Sequence, residues 1–116
     1  MKRFISVAGI ALSGTVMMSA SAFAKDQAAG LELARKSGCL ACHSIEKKVV
    51  GPSWNDISAK YKGNAGARDE LIGKVKGGGK GRWTEVTGGI PMPPYSPRVA
   101  DADIEHLVDF VLSLAK

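Results

Sequence analysis

Apolar residues recur at helical spacing in separate stretches of this chain and at strand spacing in none. The clearest stretch comes last. Ile104, Leu107, Val108, Val111 and Ala115 fall at i, i+3, i+4, i+7 and i+11, and Asp101, Asp103 and Glu105 crowd the opening turn, where the helix dipole favours acids. Ala28, Leu31 and Ala34 mark a first helix from the capping residue Asp26 to about Lys36, and Gly38 suits its end. A further helix fits Ala67 to Lys76, with Asp69 and Glu70 early, Lys74 and Lys76 late, and the triple glycine 77–79 to stop it. Trp54 to Lys60 carries a weaker helical signal. The expected class is all-α, with about four helices.

The stretch from Gly77 to Ala100 breaks this pattern. Its six glycines and four prolines allow neither a long helix nor a central strand. Loops beyond about 12 to 15 residues are uncommon in compact domains unless they are functional or disordered, and Trp83, Val86, Ile90, Met92 and Tyr95 argue against disorder. The segment is expected to wrap something that is not polypeptide.

At the other end, Lys2 and Arg3 precede the uncharged run Phe4 to Met18, and small residues ending in Ala22-Phe23-Ala24 precede Lys25. This basic, apolar, small-residue order is that of an export signal over residues 1–24. Fifteen uncharged residues diluted by Ser6, Gly9, Ser13, Gly14 and Thr15 are too short and too polar for an anchor. Cleavage is expected to leave 25–116, an exported domain of 92 residues with 14 basic and 11 acidic side chains and no stable membrane insertion. Export and the scatter of the basic residues exclude nucleic acid as a partner. A multidomain enzyme is excluded by length. The mature chain keeps only five aromatics, Trp54, Tyr61, Trp83, Tyr95 and Phe110, and two cysteines. So small an exported domain needs a staple or a filler for its core.

Cys39-Leu40-Ala41-Cys42-His43 supplies one. C-x-x-C-H is the attachment sequence for c-type haem: two thiols three positions apart add to the two vinyl groups on one porphyrin edge, and the adjacent His43 ligates the iron. A zinc site would need further ligands that no second Cys pair or His-x-x-x-His provides. A thioredoxin-like redox pair would need a βαβ pattern that is missing, and a local disulfide remains the plain alternative. For the sixth iron position the mature chain offers Met92 and His106. Met92 lies in Ile90-Pro91-Met92-Pro93-Pro94, where prolines restrict the backbone and leave the sulfur little freedom to lose. His106 falls on the polar side of the last helix with Asp109 and Ser113 and is expected to face solvent. Gly77-Gly78-Gly79-Lys80-Gly81 has the flavour of a phosphate loop but lacks its first glycine and its Ser or Thr, and reads as a flexible turn.

Taken in order, Gly38 to His43, Val50-Gly51-Pro52, Trp83 and Ile90 to Pro94 resemble the small bacterial class I cytochromes c, periplasmic monohaem electron carriers, over nearly all of 25–116. The resemblance implies that family's fold, with terminal helices crossing and one haem c, covalently bound through Cys39 and Cys42, filling the core. It implies His43 and Met92 as axial ligands, Pro52 as the carbonyl acceptor for His43 Nδ1, and Trp83 as an indole donor to a haem propionate. Tyr95 departs from the family, in which an amide three residues after the methionine often bonds its sulfur. The implied function is electron transfer rather than catalysis, by a monomer that docks transiently on redox proteins such as a nitrite reductase, a terminal oxidase or a dehydrogenase. The alternative is a small haem peroxidase or gas sensor with a labile sixth ligand.

Overall fold

The computed structural model of the chain describes residues 9–11, 14 and 20–115, and of residues 20–25 the backbone alone. Most of the expected export signal, residues 1–24, therefore lies outside the described residues. Among the described residues, five helices and one short turn of 3-10 helix follow in order: α1 (Ala20–Ser37), the 3-10 turn Cys39–Ala41, α2 (Trp54–Tyr61), α3 (Ala67–Gly77), α4 (Thr84–Thr87) and α5 (Asp101–Leu112). Among the described residues there is no sheet, only isolated bridges pairing His43 with Lys48 and Gly79 with Met92. The all-α expectation holds, with the single turn α4 added inside the long loop.

Helix α5 is the hub, packed by α1, α2 and α3. Its apolar stripe does this work: Ile104, Leu107, Val108 and Phe110 are all buried. The stripe expected at Ala115 stops short, because the helix ends at Leu112 and the chain turns there. The Ser58 hydroxyl manages that end, donating to the Leu112 carbonyl at 3.0 Å and accepting the Ala115 N–H at 2.7 Å. On the outer side of α5, Arg68 of α3 donates to Asp109 at 2.8 Å.

Helix α1 begins before Asp26, which is not its cap, because the alanine-rich residues before it are good helix formers and nothing interrupts them. Of the expected apolar positions Ala28, Leu31 and Ala34, only the last is buried. Ala28 and Leu31 are exposed, whereas Gly30, Ala34 and Ser37 are buried. The reason lies in the crossing with α5: Gly30 meets the Phe110 ring so closely that an added Cβ would stand 2.8 Å from Phe110 Cβ. Helix α2 starts behind Ser53, whose hydroxyl accepts the Asp56 N–H at 3.1 Å as an N-cap.

The buried residues form two clusters rather than one. Ala34, Cys39, Trp54, Ile57, Tyr61, Ala67, Leu107 and Phe110 make the larger, while Tyr95, Val99 and Ile104, with Ile72, Val75 and Met92 against them, make the smaller.

Candidate haem site

The site is built outward from Gly38, whose left-handed backbone (φ 85°) ends α1 and turns the chain into the 3-10 turn. That turn brings Cys39, Cys42 and His43 round one tight bend, with the Cys42 and His43 N–H groups both donating to the Cys39 carbonyl, at 3.2 and 3.0 Å. Residues 44–53 then fold back along the same backbone. Gly51 N–H donates to the Cys42 carbonyl at 2.8 Å, and Trp54 N–H to the Ser44 carbonyl at 2.9 Å. The return leg places the Pro52 carbonyl 2.8 Å from His43 Nδ1. With Nδ1 donating there, Nε2 carries the free lone pair. Burial lowers the proton affinity of the imidazole, partly opposed by the Pro52 carbonyl, so the neutral ligating form is favoured at neutral pH.

Across a cleft of about 350 Å³ stands Met92. Its backbone is clasped to the residues that follow α3: Gly79 N–H donates to the Met92 carbonyl at 2.8 Å, and Met92 N–H to the Gly79 carbonyl at 3.0 Å. The glycine run read as a flexible turn is thus the partner strand of the methionine. Gly78 in that run is required, because it has φ 69° and a Cβ there would collide with the Met92 carbonyl and stand 2.8 Å from Pro94 N. The clasp is invisible in the sequence, where the glycines read only as a helix stop, since their partner is remote along the chain. Gly51 is likewise the wall beside His43, where an added Cβ would lie 2.6 Å from Cε1.

His43, Met92, Cys42, Pro52, Trp83 and Tyr95 all line this one cleft. Cys39 is buried in the larger cluster behind it. His106 is exposed on α5 and does not line the cleft. Trp83 is half-buried, packed against the larger cluster, and Lys60 places its ammonium 4.5 Å over the ring. Nearby, Arg82 pairs with Glu70 at 2.7 Å, and Lys74 donates to the Gly78 carbonyl at 3.3 Å. Tyr95 is buried, 6% exposed, with the Arg98 guanidinium 4.8 Å over its ring. Among the described residues its hydroxyl makes no hydrogen bond to the Met92 sulfur.

The residues fit haem. Two thiols share one bend, an imidazole and a thioether line the same mainly apolar cleft, and both core clusters contribute residues to its walls, Tyr61 from the larger and Tyr95 from the smaller. The protein-family model for cytochrome c matches residues 27–115. The chain belongs to the cytochrome c family. It is 50% identical over 86 residues to cytochrome c-551 of Allochromatium vinosum, covering 74% of this chain and 86% of that one. To cytochrome c-552 of Nitrosomonas europaea it is 46% identical over 101 residues, covering 87% and 93%. The crystal structure of wild-type Nitrosomonas europaea cytochrome c552 superposes with a TM-score of 0.65 at 49% identity, covering 72% of this chain and 98% of that one. As a small class I monohaem cytochrome c, it carries haem c covalently through its two cysteines and is an electron carrier that serves redox partners, not an enzyme. Among the described residues, no helix is long and apolar enough to cross a membrane.

Proposed function

We propose that this cytochrome c is a monomeric periplasmic shuttle for single electrons, with residues 1–24 removed on export and His43 and Met92 as the axial ligands. The observation that carries the ligand reading is that these two residues, 49 positions apart, line one cleft. When bound, haem c supplies a one-electron Fe(III)/Fe(II) couple.

The chain's part is to keep both ligands through the cycle. The Pro52 carbonyl orients His43 and raises its basicity. The paired hydrogen bonds to Gly79 hold the Met92 backbone in place, and the soft thioether favours Fe(II) more than a second imidazole would, which raises the potential. Trp83 and Lys74, which both line the cleft, supply donors for a propionate. With both positions taken by protein, no substrate reaches the metal, and a peroxidase or gas-sensing role has no support. Exposed Val50 and Ile90 at the cleft give a redox partner, such as a nitrite reductase, a terminal oxidase or a dehydrogenase, a small apolar contact for brief docking.

The test is optical. The oxidised protein should show the near-infrared sulfur-to-iron charge-transfer band. Met92→Ala should lose it and lower the potential, while His106→Ala should change neither. A band that survives the first substitution, or vanishes with the second, overturns the ligand assignment.

A further inference from the structure

The His43 imidazole is held on more sides than iron ligation requires. Its Nδ1 donates to the Pro52 carbonyl at 2.8 Å, and the Gly51 backbone closes off the Cε1 edge. Those contacts leave one freedom. A hydrogen bond loses little between a linear angle and about 150°, so the ring can still rock about its Cβ–Cγ bond. Trp54 stacks, offset, beside the ring: the two centroids are 5.8 Å apart and the planes 20° apart. This is an offset stack at a separation where aromatic pairs attract.

We propose that Trp54 is a positioning residue for His43, whose stacked indole holds the imidazole plane in one orientation. The inference rests on His43 being an axial ligand. The indole can do this because it is itself fixed. It is only 4% exposed, and its backbone N–H is tied to the Ser44 carbonyl at the start of α2. The same indole meets Phe110 edge-on, with centroids 5.8 Å apart and planes at 82°. Phe110 in turn is pressed against Gly30. The orientation of His43 is therefore referred through two aromatic rings to the crossing of α1 and α5. An aliphatic side chain could fill the same volume, but it has no flat face to set a plane.

The plane of a ligating imidazole matters because it selects the direction of π overlap with the metal, and hence how unpaired spin spreads over the macrocycle in the oxidised state. The experiment uses the holoprotein. Paramagnetic NMR of the haem-methyl resonances and EPR of the oxidised form report the ligand plane, and the near-infrared band reports whether both ligands are still bound. Trp54→Tyr and Trp54→Phe, which keep a flat ring, should retain the wild-type order of methyl resonances. Trp54→Leu should keep the near-infrared band and reorder the methyls. Leu107→Ala, in the same buried cluster, should lose stability yet leave the order unchanged.

A wild-type order in Trp54→Leu, or an equal reordering in Leu107→Ala, overturns the proposal and reduces Trp54 to packing. Where Trp54→Leu does not accumulate, Phe110→Leu removes the brace on the indole, and an unchanged methyl order and EPR spectrum there has the same force. Failure of the underlying ligand reading is separately visible, because the wild-type protein would then lack the low-spin imidazole and thioether signature.

Discussion

Gly78 lies against the carbonyl of Met92 with no room for a Cβ between them. Two constraints meet at this residue, a left-handed backbone at φ 69° and direct contact with the methionine loop. Gly78→Ala is therefore expected to cost about 1–3 kcal/mol of stability. It should also weaken the near-infrared band, because relief of the clash must move Met92. Gly73→Ala, whose Cβ would enter open space on the exposed side of α3, is the control: it should raise stability by about 0.5–1 kcal/mol and leave the absorbance unchanged. Equal behaviour of the two variants would show that the clasp does not hold the ligand.

Gly51→Ala tests the other side of the cleft. The new Cβ would stand 2.6 Å from His43 Cε1 and 3.0 Å from Nδ1, so either the imidazole or the Val50–Pro52 backbone must shift. Either shift strains the hydrogen bond to the Pro52 carbonyl. A less basic imidazole stabilises Fe(III) less, so the potential should rise while unfolding becomes easier. Voltammetry and thermal melts read both changes, and an unchanged potential would mean that the bond tolerates the displacement.

Tyr95→Phe removes a hydroxyl from a buried ring. Since that hydroxyl does not reach the Met92 sulfur, the potential should stay close to wild type, with a stability loss of about 0.5–1.5 kcal/mol. Tyr95→Ala, which opens the smaller cluster around Val99 and Ile104, should cost about 3–5 kcal/mol. A large potential shift in Tyr95→Phe would show that the phenol tunes the sulfur after all.

Alkaline stability should depend on Tyr61. Burial pushes its phenol above the usual range, the neighbouring Glu70 carboxylate pushes it further, and Arg82 opposes them. The folded chain thus holds the phenolic proton more tightly than the unfolded chain. Its contribution to stability is full below about pH 10, the unfolded value, and is lost as pH rises through the higher folded value. Denaturant melts across that range should fall more steeply for the wild type than for Tyr61→Phe. Parallel profiles would show that the phenol ionises without cost to the fold.

How far the sequence led follows from the range of each interaction. The C-x-x-C-H bend, the proline-held Met92 and the stripe of α5 are local patterns; the stripe is buried at Ile104, Leu107 and Val108 but ends before Ala115. The Pro52 carbonyl was reached through family resemblance, because a nine-residue return to His43 leaves no periodic trace. Three features depended on pairings that a linear reading does not contain. The buried face of α1 is set by Gly30 meeting Phe110, the glycines after α3 by Met92, and the environment of Trp54 by the ring of His43. The one-turn helix α4 was hidden in a glycine-rich stretch because Thr84–Thr87 is too short to show a period.

The last prediction concerns encounter with partners. Residues 25–100 carry 13 basic and 7 acidic side chains, whereas 101–116 carry 1 and 4, so the chain is electrically polarised. Several of the cations are compensated locally: Arg68 by Asp109, Lys76 by Asp101 and Arg82 by Glu70. Lys80, by contrast, is exposed and lines the cleft that holds His43 and Met92. An anionic oxidant should therefore be drawn to the cleft at low salt, and the attraction should fade as the screening length falls to about 8–10 Å. With ferricyanide as the oxidant, stopped-flow oxidation of the reduced protein should slow as ionic strength rises. Lys80→Gln should slow it at low salt and flatten the salt dependence, and Arg68→Gln, away from the cleft, should do neither. If Lys80→Gln leaves the salt dependence intact while Arg68→Gln reduces it, electrons leave by another face. A flat dependence in the wild type would mean that the basic side chains serve solubility and that docking relies on the apolar contact at Val50 and Ile90.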